Sequence, residues 1–311
     1  MTATEGIRLG LDLGGTKIEA VILSEDGSEL ARERVAMPAG DYPGALSATR
    51  DLVREVEAQA GARAAGAGVG TPGTPSAKTG LLRNAFSTPM NGEALDADLA
   101  RVLERPVRLE NDATCFALAE AKSGAGQGAH GVFGVILGTG VGGGIVIGGA
   151  PIRGRNAIGS EWGHNRLPAT TPDELDAPRC DCGRIGCIEA WCCGPGLIRD
   201  HFRRTGSEME PEMIVAFAEA GDFEAKETLD LHAGRLARGL AMVVNIVDPD
   251  VIVLGGGLSK MRHLYEVLPD LMRPHVFSDA FETPVVENTL GDSAGVIGAA
   301  WLCPLSEAVS R

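Results

Sequence analysis

A cysteine-rich segment near the middle of the chain carries the residue types that bind a metal ion. Cys180, Cys182 and Cys187 lie within eight residues, and His164 lies sixteen residues before the first of them. Three thiolates and one imidazole form a complete tetrahedral set, which is typical of a structural zinc ion. The spacing differs from that of common zinc fingers. Buried free thiols and a redox pair are therefore alternatives, and the cysteines at residues 192–193 could replace a ligand.

Two glutamates accompany these ligands. Glu161 precedes His164 by three residues, and Glu189 follows Cys187 by two. A metal ion that fixes this loop would also fix both carboxylates. Carboxylate oxygens accept hydrogen bonds from hydroxyl groups, so we expect the pair to bind a sugar. The alternative is that both are solvated surface acids.

Three glycine-rich turns each follow a predicted buried strand, where backbone amides can approach a phosphate without interference from Cβ. They read DLGGTK at residues 12–17, GTGVGGG at residues 138–144 and GGG at residues 255–257. In the first turn, Asp12 could hold the hydration shell of Mg²⁺; the alternative is a tight hairpin turn. The expected nucleotide-binding residues are Asp12, Gly14, Gly15, Thr16, Lys17, Gly138, Thr139, Gly140, Gly255, Gly256 and Gly257.

The second turn also matches the GxGxxG pattern of dinucleotide-binding enzymes, which raises an NAD-dependent dehydrogenase as an alternative. In those enzymes the pattern opens a helix. Here the apolar residues 145–147 are followed at once by Gly148 and Gly149, which is too short for a helix and typical of a hairpin. The residue order therefore disfavours the dehydrogenase.

Asp112 is the candidate for proton transfer. With Asn111 it closes a predicted strand at residues 107–110 and begins a predicted helix at residues 113–122. An aspartate in this place is a good helix N-cap, which bonds to amides two and three residues further on. The functional hypothesis is that Asp112 accepts the proton of an attacking hydroxyl during phosphoryl transfer.

The elements that must position these residues alternate between strands and helices, which predicts an α/β fold with mixed sheets. The predicted strands cover residues 7–13, 17–23, 29–36, 67–69, 107–110, 132–137, 145–147 and 251–254. The predicted helices cover residues 44–60, 113–122, 212–220, 223–246 and 294–302. The order of strand, glycine–threonine turn and strand occurs twice, with Thr16 and Thr139 in equivalent places, which indicates an internal duplication.

Composition restricts the functional classes. A chain of 311 residues is long enough for two domains, and 44% hydrophobic with 23% charged residues is typical of a globular protein. The net charge of −14 and the lack of a basic patch exclude nucleic acid as an expected partner. No secretory signal and no apolar run of membrane-spanning length is visible, so we expect a cytoplasmic protein with no membrane partner.

Taken together, these motifs resemble the ROK sugar kinases, the repressor–ORF–kinase group within the actin-like ATPase superfamily, over nearly the whole chain. The resemblance rests on residues 12–17, GTPG at 70–73, NDA at 111–113, LGTGVGGG at 137–144, GSEWGH at 159–164 and CDCGRIGCIE at 180–189. It implies a two-lobed fold of ribonuclease-H-like topology with mixed sheets and a central cleft. The small lobe would be residues 1–112, completed by residues 294–311. Residues 113–293 would form the large lobe, with the zinc loop and nucleotide-binding turns.

The resemblance also implies an activity, the transfer of the γ-phosphoryl group of ATP to a hexose hydroxyl, O6. ATP, Mg²⁺ and a structural Zn²⁺ are the implied cofactors, and Asp112 is the implied catalytic base. The implied sugar-binding residues are Asn84, Asn111, Asp112, Glu161, His164 and Glu189, and the implied zinc ligands are His164, Cys180, Cys182 and Cys187. The family usually has Ala or Gly where Ser160 stands, which leaves the details of the sugar loop open.

Within the family the chain is most similar to bacterial fructokinases of the manno(fructo)kinase type, through residues 84–92, 161–168 and 291–301. N-acetylglucosamine kinases share most of the remainder, such as NDATCFAL at residues 111–118, and are the alternative. Family members that repress transcription place a helix-turn-helix domain in front, for which a strand beginning at residue 7 leaves no room. A catalytically silent sugar sensor is the alternative of another class. The expected partners are the sugar and ATP, and the expected assembly is a homodimer.

Overall fold

The computed structural model describes residues 6–85 and 88–303. Phe86 and Ser87, within the run at residues 84–92, and residues 304–311, within the segment predicted to complete the small lobe, lie outside the described residues. The chain forms two compact units. The first comprises Met1–Gly124, Pro151–Gly159 and Leu290–Arg311, and the second comprises Ala125–Ala150 and Ser160–Thr289. The first segment of the first unit therefore ends at Gly124, whereas the boundary of the small lobe was predicted at residue 112.

Strands and helices alternate in the order that an α/β fold requires. The strands are β1 Ile7–Leu13, β2 Lys17–Ser24, β3 Glu29–Ala36, β4 Ala67–Thr71, β5 Thr74–Pro75, β6 Leu82–Arg83, β7 Val107–Asn111, β8 Gly131–Leu137, β9 Val141–Ile147, β10 Ala150–Pro151, β11 Val251–Gly255 and β12 Val285–Glu287. The helices are α1 Tyr42–Ala60, α2 Leu95–Leu103, α3 Asp112–Ser123, α4 Ile188–Cys192, α5 Gly194–Thr205, α6 Pro211–Glu219, α7 Phe223–Val247, α8 Arg262–Met272 and α9 Ala294–Ala300. Across the described residues, none of these helices combines the length and apolarity needed to cross a membrane.

Each unit is built on a five-stranded sheet, and the two sheets have the same topology. The strand order is β3-β2-β1-β4-β7 in the first unit and β10-β9-β8-β11-β12 in the second. β1 pairs antiparallel with β2 and parallel with β4, just as β8 pairs antiparallel with β9 and parallel with β11. The predicted α/β fold with mixed sheets is therefore confirmed, and the repeated topology agrees with an internal duplication.

In the first unit, α1, which was predicted over residues 44–60, covers one face of the sheet. Leu46, Val53 and Val56 are buried in the same cluster as the apolar side chains of β1, β2 and β4. The helix begins where the side chain of Asp41 accepts a hydrogen bond from the amide of Gly44, at 2.9 Å. This capping interaction satisfies an amide that would otherwise lack a partner at the first turn.

In the second unit, the long helix α7 packs with α4, α5 and α8 around the buried strands β8 and β11. Trp162, beside the predicted sugar loop, meets Phe133 of β8 edge to face at a ring separation of 5.5 Å. Burial of two large aromatic side chains in this arrangement is strongly stabilising. The core therefore reaches directly beneath the segment that carries Glu161 and His164.

His232 gives the second unit a sensitivity to acid. It is buried on α7, where its Nε2–H donates to the carbonyl oxygen of Cys192 at 3.0 Å, and burial lowers its pKa from 6.5 to about 4. The unfolded chain therefore binds a proton as pH falls below 6.5 while the folded chain does not, and stability is lost until about pH 4. We expect the free energy of unfolding to fall by about 3 kcal/mol over this window from His232 alone.

Urea denaturation across this pH range measures the effect. His232→Leu should be less stable than the wild type at neutral pH and show a shallower loss toward acid. The matched control is His130→Gln, because His130 is exposed. Equal pH slopes for the wild type and His232→Leu would contradict the assignment.

Candidate active site

In the first unit, parallel pairing brings three predicted site residues to one edge of the sheet. Asp12 on β1 pairs in register with Gly70 on β4, and Thr71, the next residue, pairs with Asn111 on β7. The carboxyl ends of these strands therefore meet. Asp12, Asn111 and Asp112, which follows β7 directly, all lie at this edge.

The junction between β7 and α3 orients Asp112. Asn111 has an extended backbone, and its Oδ1 accepts a hydrogen bond from the amide of Ala113 at 3.0 Å. Asp112 is the first residue of α3, and its Oδ1 lies 2.8 Å from the same amide. The alternative that Asp112 is the N-cap is therefore wrong, because Asn111 provides the cap. The cap does not need the carboxylate of Asp112.

Two carboxylates with raised pKa values lie at this edge. Burial, together with the negative charge of Asp112, raises the pKa of Asp12 to about 6, although Lys17 opposes the shift. Burial also raises the pKa of Asp112, against the hydrogen bonds it accepts from nearby amides. A partly buried pair of carboxylates with raised pKa values is a chemically suitable site for a divalent cation and for a proton acceptor.

The first glycine turn presents backbone to solvent. The amide of Gly14 donates to the carbonyl oxygen of Lys17 at 3.0 Å, which closes a tight turn, and Gly15 and Thr16 are exposed. Lys17 points its ammonium toward Glu19, with Nζ 2.7 Å from Oε2. The exposed amides and the hydroxyl of Thr16 are thus available to an anionic group.

Asn84 lies just after β6 on an exposed turn, with a backbone φ of +64°. The GTPG run packs against this turn. Gly73 has a φ of +77°, and a Cβ added there would lie 2.0 Å from the carbonyl oxygen of Arg83. Only glycine permits so close an approach. Gly73 therefore allows the GTPG run to pack directly against the backbone that leads into Asn84.

The glycine turns of the second unit are shorter than predicted and lie side by side. Strand β9 begins at Val141, so the predicted turn at residues 138–144 shrinks to Gly138–Gly140, and Gly142 to Gly144 belong to the strand. Gly256 has a φ of +82°, and a Cβ there would lie 2.4 Å from the carbonyl oxygen of Leu137, at the end of β8. The 255–257 turn therefore packs on the strand end that leads into the 138–140 turn.

This geometry also rules out the dinucleotide-binding alternative. The segment after the second turn is β9, which pairs antiparallel with β8 from Val141 to Ile147. The GxGxxG pattern of a dinucleotide site must open a helix. A hairpin at this position has no helix N-terminus to offer a pyrophosphate.

The predicted metal ligands come together in the second unit. His164, Cys180, Cys182 and Cys187 place their ligand atoms within 4.8 Å of one another. The sulfur atoms of Cys182 and Cys187 are 3.6 Å apart, and Sγ of Cys180 is 3.6 Å from Nδ1 of His164. Ligands of a tetrahedral zinc ion at bond lengths of about 2.0–2.3 Å lie about 3.5–3.8 Å from each other. Chemistry and spacing therefore fit a closed zinc site.

The neighbouring Cys193 has another partner. Its Sγ accepts a hydrogen bond from the amide of Gly196 at 3.3 Å and caps α5.

Both predicted sugar-binding glutamates adjoin this cluster. Glu189 reaches in two directions, with Oε1 3.6 Å from Nδ1 of His164 and Oε2 accepting from the amide of Val141 at 3.0 Å. Oε2 of Glu161 lies 3.9 Å from Nε2 of His164. Ser160, which departs from the usual family residue, uses its hydroxyl to accept from the amide of Ile145 at 2.9 Å. Glu189 therefore connects the metal cluster with the strand that follows the second glycine turn.

Glu110, the last residue of the predicted strand at residues 107–110, was not predicted as a site residue but lies at the same edge of the first unit's sheet as Asn111. It is buried next to Asn111, and burial raises its pKa against the charge of Arg153. Nε of Arg153 lies 3.9 Å from its Oε2. Arg153 lies in Pro151–Gly159, which belongs to the first unit. In the sequence, the one sign that Glu110 is unusual is an acidic residue within a predicted strand, which is a weak signal.

Comparison with known proteins shows which family the chain belongs to. A model of the ROK family matches residues 8–305. The chain is 38% identical over 299 residues to the N-acetyl-D-glucosamine kinase of Yersinia pseudotuberculosis, covering 94% of this chain and 97% of the relative. It is similar to the ROK hexokinase of Thermus thermophilus, with a TM-score of 0.86, 33% identity and coverage of 95% and 97% of the two chains. The ROK family glucokinase of Streptomyces griseus, solved with glucose and AMPPNP, has a TM-score of 0.72 and 31% identity over 96% and 99% of the two chains. The predicted actin-like ATPase fold is thereby confirmed.

Proposed function

This chain is an ATP-dependent sugar kinase of the ROK family, and from that premise we propose that it phosphorylates a hexose at O6 with Asp112 as the catalytic base. The observation that carries the proposal is the environment of Asp112. Asp112 is the first residue of α3, next to the N-cap residue Asn111, and burial raises the pKa of its carboxylate. A proton acceptor of raised pKa, fixed on a rigid element, suits abstraction of a hydroxyl proton during phosphoryl transfer.

The same proposal assigns the nucleotide to the glycine turns. Asp12 would hold the hydration shell of Mg²⁺, and the exposed amide of Gly15 and hydroxyl of Thr16 would bind phosphate oxygens, with Gly14 closing the turn that presents them. Gly138, Thr139, Gly140 and residues 255–257 serve the nucleotide in the second unit. Bound Mg²⁺ supplies positive charge that balances the phosphates. Lys17 offers a further positive charge beside the first turn.

The zinc cluster has a structural part in this proposal. His164, Cys180, Cys182 and Cys187 would hold Zn²⁺, which supplies rigidity to a loop that has little regular structure. Glu161, His164 and Glu189 then accept or donate hydrogen bonds to sugar hydroxyls from fixed positions. Asn84 and Asn111 are the proposed sugar contacts of the first unit.

We propose N-acetylglucosamine as the sugar. The Yersinia relative of 38% identity is an N-acetyl-D-glucosamine kinase, which supports the alternative stated from the sequence more than the fructokinase prediction. The run at residues 84–92, on which the fructose preference partly rested, is described only in part.

The sugar is tested by coupled ADP release with N-acetylglucosamine, fructose, mannose and glucose. We expect N-acetylglucosamine to give a kcat/KM about tenfold or more above that of fructose. A pocket with a partner for the acetamido group leaves that partner unpaired when the group is absent, at a cost of about 1–3 kcal/mol, and about 1.4 kcal/mol corresponds to tenfold. A tenfold preference for fructose would restore the first prediction.

The sensor alternative gives a different pattern in the same assay. A silent sensor would bind a sugar, measured by calorimetry, without sugar-dependent release of ADP. The homodimer remains a prediction, which sedimentation equilibrium tests.

A further inference from the structure

The loop between the metal ligands His164 and Cys180 contains an acid that is buried and not solvated. Glu174 ends a short 3₁₀ turn, Pro172–Glu174, and its side chain is 2% exposed. Its Oε2 accepts from the amide of Thr171 at 3.0 Å, and its own amide donates back to the carbonyl oxygen of Thr171. Burial of a carboxylate is costly unless it is paired, so this loop must have partners beneath it.

Those partners are two arginines, one turn apart on α7. Nε of Arg235 donates to Oε1 of Glu174 at 3.1 Å, and Nη1 of Arg238 donates to Oε2 at 3.0 Å. Nη1 of Arg238 also donates to the carbonyl oxygen of Ala169 at 2.6 Å. The loop is thus attached to α7 at two points, five residues apart, between its two metal-binding ends.

Arg235 reaches the other end of the metal cluster as well. Its guanidinium lies over the ring of Trp191, 4.4 Å from the ring centroid, and Nη1 donates to Oδ2 of Asp200 on α5 at 2.6 Å. Trp191 belongs to α4, the helix that begins directly after Cys187 and carries Glu189. One buried side chain therefore contacts both the loop that follows His164 and the helix that carries Glu189.

The buried charges around Glu174 and Asp200 balance. The two arginines face two carboxylates, and all four side chains are less than one-tenth exposed. Burial opposes ionisation of Glu174, but the hydrogen bonds from Arg238, the Thr171 amide and Arg235 hold its pKa below the usual range. Loss of one partner would leave an uncompensated buried charge. The Glu174–Arg235–Arg238–Asp200 network therefore has one favourable arrangement, which fixes the loop.

We propose that Arg235 and Arg238 are positioning residues of the sugar site, which hold the zinc loop through Glu174 and thereby fix His164 and Glu189. Neither arginine is assigned to touch sugar or metal. The inference rests on the proposed kinase function for its kinetic readout, and it has a second readout, zinc retention, that does not depend on activity. A purely stabilising network would lower the melting temperature and leave both readouts unchanged.

The test uses the full zinc-loaded protein with Arg238→Met, which removes the contacts to Glu174 and Ala169. We expect the KM for the sugar to rise about tenfold while kcat at saturating sugar and the KM for ATP stay within about threefold, because ground-state positioning of the sugar is lost. Zinc release to a chromogenic chelator should accelerate about tenfold. Arg238→Lys keeps the charge without the paired donors, so its sugar KM and zinc-release rate should lie between those of the wild type and Arg238→Met. This variant decides the test if Arg238→Met does not fold.

Arg203→Met is the matched control. Arg203 also pairs with Asp200, with Nη2 2.9 Å from Oδ1, but its side chain is 40% exposed and does not touch the loop. We expect this control to keep the wild-type sugar KM and zinc-release rate. The proposal is overturned if folded Arg238 variants match the wild type in both readouts, or if Arg203→Met changes them equally. A wild type that phosphorylates no sugar would refute the proposed function, and the zinc-release comparison would still decide the role of the network.

Discussion

Asp112→Asn should nearly abolish sugar phosphorylation, with a loss of about 10²–10⁴-fold in kcat, the usual magnitude for general base catalysis. Asparagine has the shape of aspartate but cannot accept the hydroxyl proton. The substitution leaves the start of α3 intact, because Asn111 and not Asp112 provides the N-cap. Coupled ADP release at saturating sugar and ATP measures the loss, and the binding of both ligands should change far less than kcat.

The control for this variant is Asp96→Asn, the same chemical change at an exposed acid of the same unit. It should keep full activity. Melting temperatures of both variants should stay close to that of the wild type, since neither removes a cap. An Asp112→Asn enzyme with activity within a few-fold of the wild type would limit Asp112 to a structural role at the start of the helix.

Loss of the zinc ligand Cys182 should have the second largest effect. The purified protein should contain about one zinc ion per chain, as expected of one closed four-ligand site. Cys182→Ser should lower zinc content, thermal stability and sugar affinity together. Cys182 is exposed, so replacement of sulfur by oxygen should cost little by itself. A large loss of stability would therefore report the loss of the metal.

Metal analysis, thermal melts and sugar titrations of the same preparation provide the three measurements. Cys303→Ser is the control, because Cys303 is a buried thiol of the first unit and should leave zinc content unchanged. Freshly purified, active wild-type protein without zinc would refute the structural role of the metal.

Local patterns account for the parts of this structure that could be predicted from the sequence. Helices α1 and α7 were predicted because their apolar residues repeat at helical spacing, and the strands around the glycine turns because they are short apolar runs. Helices α2, α4, α5 and α8 were missed. Helix α4 has only five residues, and α5 opens with Gly194-Pro195-Gly196, which is typical of a turn.

The site residues also divide into those that local sequence patterns predict and those that only the folded chain brings together. The metal ligands could be predicted because three of them lie within eight residues of sequence. The cap of α3 was assigned one residue too late, since Asn and Asp are almost equally good caps and only the backbone conformation distinguishes them. Glu174 and its arginines are 61 and 64 residues apart. No periodic pattern joins such positions, so this network is apparent only in the folded chain.

Helix α9 has a consequence for the synthesis of the protein. It packs on the first unit, where Val296 and Ala300 are buried against Val21 and Leu23 of β2. The sheet of this unit is therefore covered by a helix that is translated more than two hundred residues after β4. At the usual rates, roughly 10 to 40 seconds separate the emergence of β4 from that of α9. During that interval Val21 and Leu23 lack the helix that buries them, and exposed apolar surface of this kind favours aggregation of the growing chain.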